Sequence, residues 1–167
     1  MDSMDSSHID YGVLVKCLFP YVGAPAKPGP RPHYCMALAP ELPFKGRKFI
    51  AVAYGTSKLD DDLLEEHQGM ILRVSSEFIK GEKPPQPTGY FVMDHVAVIP
   101  YEKEWVLPFS ARFDFVTVEQ SRKSAAHGRL YENLLFTRPF SNAAAKRAVT
   151  RLIQTGAIGL IGAAKLR

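Results

Sequence analysis

The chain has 167 residues, 46% of them apolar, with thirteen prolines, twelve glycines, two cysteines and a formal charge of +4. That length predicts one compact domain with room for an appendage, and the apolar content supports a real core and excludes wholesale disorder. No apolar run approaches the roughly 20 residues of a membrane span, and the N-terminus is polar and acidic, unlike a signal peptide. The expected setting is the cytoplasm. The charge is unevenly spread. Residues 1–120 carry 12 basic and 16 acidic side chains, for −4, whereas residues 121–167 carry 9 basic and 1 acidic, for +8. A basic segment on a mildly acidic body points to nucleic acid or an acidic partner; the plainer alternative is a solvated helical face.

In chain order, a short polar lead (1–10) precedes Tyr11 to Phe19, whose β-rich composition predicts the first strand. Pro20 to Pro32 is rich in proline and glycine and predicts a loop. His33 to Ala39 reads as the second strand. A Pro-Glu-Leu-Pro turn and the basic group Lys45, Gly46, Arg47 and Lys48 lead to a third, Phe49 to Tyr54. Lys58 to Gln68 is acidic and predicts a short helix or a solvated turn; its carboxylates lack the alternating spacing of a calcium loop. Gly69 to Val74 and Tyr90 to Pro100 read as strands four and five, separated by a loop that holds one helical turn at 76–80. His95 interrupts strand five and is expected to be hydrogen-bonded structure rather than an acid/base group. Trp105 to Val118 predicts an irregular extended segment with one more strand. The tail predicts two helices broken at Pro139, the second with an apolar stripe at Ala145, Ala148, Val149, Leu152 and Ile153. Cys17 and Cys35 sit in apolar strand-like runs and predict buried free thiols, and no metal-ligand spacing is present.

Two stretches stand out. Gly29-Pro30-Arg31-Pro32-His33 enters strand two, and Tyr54-Gly55-Thr56-Ser57 leaves strand three. If these strands are antiparallel neighbours, the start of one lies beside the end of the other, which brings a guanidinium and two hydroxyls to one end of a small sheet. A guanidinium keeps its charge and presents a planar fork suited to phosphate. The structural alternatives are a salt bridge for Arg31 and simple turn chemistry for Thr56 and Ser57.

The glycine opening of strand one, the Gly-Pro-Arg-Pro-His entry and the Ala-Val-Ala-Tyr-Gly-Thr-Ser exit resemble the MazF/PemK toxin family, as does the later Gly89-Tyr90-Phe91-Val92-Met93-Asp94 segment with Val98-Ile99-Pro100-Tyr101. The resemblance covers roughly residues 10–105. It implies a mainly β chain with a small SH3-like antiparallel β-barrel, here over 11–120. It does not explain the basic, α-helical C-terminal extension over 121–167, which its own sequence pattern predicts and which is expected to pack on the barrel or on a partner. It implies a homodimer, a cognate antitoxin whose tail covers the site, and cleavage of single-stranded RNA without a metal or other cofactor. The family's arginine falls on Arg31 and its threonine on Thr56, with Ser57 following as in the motif. His33, two residues from Arg31, is then the candidate base, and Tyr21, Tyr34 and Lys58 are candidate RNA contacts. The family's acid after the strand-one glycine is absent here, where Gly12 is followed by Val13. That departure and the long basic tail bear on catalysis more than on fold. They keep open a non-catalytic binding module on the same barrel, or a gyrase-directed toxin of the related type.

Overall fold

The computed structural model describes residues 9–114, apart from 22, 25–26, 39, 59 and 68–70, together with the backbone of 159–161. Its elements in chain order are β1 (Val13–Cys17), β2 (His33–Ala37), β3 (Leu42–Phe44), β4 (Arg47–Thr56), α1 (Asp61–Glu66), β5 (Ile71–Ser75), a 3-10 turn (Ser76–Phe78), β6 (Ile79–Gly81), β7 (Thr88–Pro100), β8 (Ala111–Phe113) and β9 (Gly159–Ile161). The architecture is mainly antiparallel β. One sheet runs β5-β7-β4-β2-β1-β8-β6, with β3 paired to β4 and β9 paired to β7. Its two end strands, β5 and β6, are separated in sequence only by Ser76–Phe78. A flat sheet cannot place its opposite edges three residues apart, so the path curls into a nearly closed barrel.

The central strands are apolar at consecutive positions because both of their faces are buried. From β4, Phe49, Ala51 and Ala53 point into the barrel interior with Leu14, Met36, Val96, Val98 and Phe113. Ile50 and Val52 point the other way, into an outer layer with Val15, Cys17, Cys35, Ala37, Ile99 and Trp105. A strand buried on both sides loses the polar/apolar alternation and becomes a continuous hydrophobic run. Fully burying each large side chain stabilises the fold by about 1.5–3 kcal/mol before entropy is counted. Cys17 and Cys35 are free, fully buried thiols of the outer layer. Their mutual hydrogen bond, followed by burial, pushes the Cys17 thiol well up and leaves it unreactive.

Several boundaries differ from the sequence-based expectations. The Pro-Glu-Leu-Pro stretch is not only a turn: its last two residues open β3, which pairs back on β4 through Leu42↔Phe49, Pro43↔Lys48 and Phe44↔Arg47. The linking residues, Lys45 (φ 51°) and Gly46 (φ 77°), both have positive φ, as a two-residue hairpin turn that matches strand twist requires. Pro43 is tolerated because β3 is an edge strand. The acidic segment is a helix, capped by Asp60, whose Oδ1 accepts from the Leu63 amide at 2.8 Å. The expected loop after β5 hides β6, three residues paired to β8. The two predicted tail helices lie outside the described residues. Within the glycine-rich end of the chain, Gly159–Ile161 is a strand paired to β7 through Val96↔Ile161, Ala97↔Leu160 and Val98↔Gly159.

Candidate functional site

β2 and β4 are antiparallel neighbours, so the entry to β2 does lie beside the exit from β4. Their regular pairing covers only Met36↔Ala53 and Ala37↔Val52. At the next step β4 changes register against its other neighbour, β7, from Ala53↔Val96 to Tyr54↔Val92. An irregularity of this kind bends the strand and re-aims its remaining residues. Past this point the backbones of β2 and β4 converge tightly. A Cβ placed on Gly55 would stand 1.7 Å from the Tyr34 carbonyl oxygen, so only glycine fits there. In place of a further backbone rung, His33 Nδ1 donates to the Gly55 carbonyl at 3.0 Å. A carbonyl only accepts, so Nδ1 carries the proton and Nε2 of the neutral ring remains an acceptor. Partial burial is the main cause that lowers the His33 pKa; the Gly55 hydrogen bond opposes it, and the nearby Arg31 charge adds to it.

The loop before β2 is held against β1 by a second close approach. Gly29 N donates to the Leu18 carbonyl at 3.2 Å, and a Cβ on Gly29 would stand 2.2 Å from the Phe19 carbonyl oxygen. Two residues later the chain presents Arg31, exposed, at the sheet end. On the opposite side, Thr56 closes the turn that leaves β4. Its hydroxyl donates to the Lys58 carbonyl at 2.9 Å and accepts from the Lys58 amide at 3.2 Å. The Tyr54 hydroxyl also bonds to it. Thr56 therefore directs its hydroxyl to local structure, and the more exposed hydroxyl of the pair is Ser57.

These elements open on one cleft of about 380 Å³, within the range of pockets that take small-molecule-sized groups. Arg31, His33, Tyr34, Thr56, Ser57 and Lys58 all line it. Six of the seven residues singled out in the sequence thus share one cavity. Tyr21 does not: it is 60% exposed, bridges to Ala24 within its own loop, and is absent from the cleft wall. Tyr34 is braced by Phe109, with centroids 4.9 Å apart, and by Lys16, whose Nζ is 5.6 Å from the ring.

Sequence reasoning missed the far wall, which is Pro84, Pro85, Gln86 and Pro87 with Tyr90. The register explains its position. β7 begins between β4 and β5, through Thr56↔Tyr90 and Ser75↔Thr88, so the loop that feeds β7 must lie over the same sheet end. The proline run was visible in the sequence; its destination depends on long-range pairing that local pattern does not carry.

Behind the cleft, Tyr54 is packed by three rings: His33 at 4.9 Å, Phe19 at 5.1 Å and His95 at 5.3 Å between centroids. His95 in turn meets His67 at 5.6 Å. Burial is the first cause that raises the Tyr54 pKa, so the phenol stays neutral. Among the described residues no three His, Cys, Asp or Glu side chains are grouped as metal ligands, and no helix is long and apolar enough to cross a membrane. No protein family, curated protein or solved structure matches this chain.

Proposed function

We propose that the chain is an endoribonuclease toxin of the MazF/PemK type, an SH3-like barrel that cleaves single-stranded RNA by attack of the RNA's own 2′-hydroxyl. The observation that carries this reading is the shared cleft: a permanently charged guanidinium, a neutral imidazole with one acceptor nitrogen, an exposed hydroxyl and a lysine at one rim. RNA brings its nucleophile within its own chain, so the protein supplies orientation, a proton acceptor and charge stabilisation. Arg31 holds the scissile phosphate and stabilises the extra negative charge as the 2′-oxygen bonds to phosphorus. His33 Nε2 takes the 2′-hydroxyl proton. Thr56 shapes the turn that sets Ser57 and Lys58 against the phosphate oxygens. The phosphorus–5′-oxygen bond breaks, the leaving oxygen takes up a proton, and the products are a 2′,3′-cyclic phosphate and a 5′-hydroxyl. A second copy of the chain and an antitoxin segment that fills the cleft belong to the same reading, as does a cytoplasmic setting.

Incubating the protein with long single-stranded RNA in EDTA tests it. Discrete, site-selective fragments are expected from the wild type and a loss of about two orders of magnitude or more from Arg31→Ala, with both proteins equally folded by circular dichroism. Full activity in Arg31→Ala would remove the arginine from its role. One observation favours a non-catalytic RNA-binding module instead: no carboxylate lines the cleft among the described residues, which leaves His33 as its one side chain that titrates near neutrality. Retarded but intact RNA in the same experiment selects that reading, and growth arrest in cells with intact RNA selects a protein target such as gyrase.

A further inference from the structure

The proline wall is more than a boundary. Lys83 Nζ donates to the Ser76 carbonyl at 2.9 Å and to the Ile79 carbonyl. The Ser76 amide donates to the Pro87 carbonyl at 2.8 Å, and the Glu82 amide to the Ser110 carbonyl at 2.8 Å. The loop is therefore fastened at both ends. Between those ties Gln86 is flanked by Pro85 and Pro87. The ring before it fixes its neighbour's φ, and the ring after it confines Gln86 itself to extended conformations. An exposed glutamine on a surface loop ordinarily samples many backbone states. This one is held in few, on the wall of the cleft that also contains Arg31.

Among the described residues of the wall, Gln86 is the sole amide side chain. The hydroxyls of Ser57, Ser76, Tyr34 and Tyr90 each offer a single polar atom, and Arg31 and Lys58 only donate. A side-chain amide sets a donor and an acceptor in one plane, the complement of a base edge with an acceptor beside a donor. Adenine has such an edge on both exposed sides of the ring, N7 with N6–H and N1 with N6–H, whereas guanine has it on one, O6 with N1–H, and shows two acceptors, N7 and O6, on the other. The Tyr90 ring on the same wall offers a π-face on which a splayed base stacks.

We infer that Gln86 is the specificity-determining residue of the cleft and selects adenine in the nucleotide whose phosphate Arg31 holds, an inference that rests on the RNA reading above but not on catalysis. Unpaired bases read on exposed edges are how proteins take sequence from single-stranded RNA. A good bidentate amide–adenine pair discriminates by about 1–3 kcal/mol, so roughly tenfold is expected.

The test is direct titration of the full chain with adenosine 5′-monophosphate and guanosine 5′-monophosphate, followed by calorimetry or by NMR. Adenosine monophosphate is expected to bind about tenfold tighter, with the ratio collapsing towards one in Gln86→Ala while Arg31→Ala weakens both nucleotides alike. Equal affinity for the two nucleotides in the wild type, binding of neither, or a preference that survives Gln86→Ala overturns the inference. Sequenced fragment ends from a random RNA pool separate this result from the nuclease reading. If Arg31→Ala abolishes cutting but wild type and Gln86→Ala cut at identical sequences, the base reader is lost and the nuclease stands. If the nucleotide preference depends on Gln86 but RNA stays intact, the base reader stands and the nuclease is lost.

Discussion

The two ends of β4 are built by opposite means. At its start, every residue from Arg47 to Ala53 has a regular partner on β3 or β7. The two-residue turn sets the register, and Arg47 clasps Glu102 through two 2.8 Å hydrogen bonds while its guanidinium lies 5.4 Å from the Phe49 ring. At its finish the pairing with β2 stops, the register against β7 jumps, and an imidazole and a glycine do what backbone rungs do elsewhere. The regular end yields a rigid hairpin with its polar groups spent on one another. The irregular end leaves Arg31, Ser57 and Lys58 exposed beside a cavity. A sheet acquires a site where it gives up its ladder, because only there do side chains converge instead of alternating.

The largest break in that comparison is Gly55→Val. The new Cβ cannot coexist with the Tyr34 carbonyl oxygen, so β2 and β4 must separate. Denaturant unfolding should show a loss of about 3 kcal/mol, the upper range for overpacking, with any RNA activity abolished. A loss within 0.5 kcal/mol, the usual scatter of surface substitutions, would mean that the two strands do not converge as described.

Next comes His33→Ala, which removes the His33–Gly55 hydrogen bond across the opened pair. A cost of about 1–2 kcal/mol is expected, since a partly buried carbonyl loses its donor. His33→Asn, which keeps an N–H near the same place, should recover part of that stability but no proton-accepting activity. The pH dependence follows from the sign of the shift. The folded pKa lies below the usual 6.5, so folding favours the neutral ring. That contribution is whole above pH 6.5 and is lost as pH falls through the lower folded value. Wild type should therefore lose stability on acidification in a step that His33→Ala lacks. An identical profile in both would show that the imidazole makes no such contribution.

The smallest effect belongs to the regular end. Glu102→Gln removes an exposed ion pair, and exposed pairs contribute at most about 1 kcal/mol. The Arg47 hydrogen bond is the main cause that lowers the Glu102 pKa, so the pair's share is present above the ordinary glutamate range and lost as pH falls through the folded value. Stability should drop by less than 1 kcal/mol and the site should be untouched. Loss of RNA binding in Glu102→Gln would couple two ends that the geometry keeps apart.

The same contrast explains what was legible in the sequence. Apolar runs such as Phe49 to Ala53 announced the central strands, and the meeting of Arg31 with Thr56 and Ser57 at one sheet end was legible because antiparallel pairing of adjacent strands is a local inference. Two short elements were not legible: β3 contains a proline and turns on Lys45, a residue rarely found at positive φ, while β6 has only three residues and is held by its pairing with the distant β8. Gln86 was hidden because its place depends on β7 sitting between β4 and β5. The local bonding of Thr56 was also hidden, because Tyr54 and Lys58 reach its hydroxyl only once the exit turn has formed.

On the proposed reading, this cleft uses the 2′-hydroxyl of RNA itself. The most direct measurement compares cutting of one short single-stranded RNA with that of a copy carrying a single 2′-deoxyribose immediately 5′ of the scissile phosphate. The RNA is expected to be cut to a 2′,3′-cyclic phosphate, and the copy to survive intact. Cutting of both at equal rates, or of neither, would contradict that use of the 2′-hydroxyl.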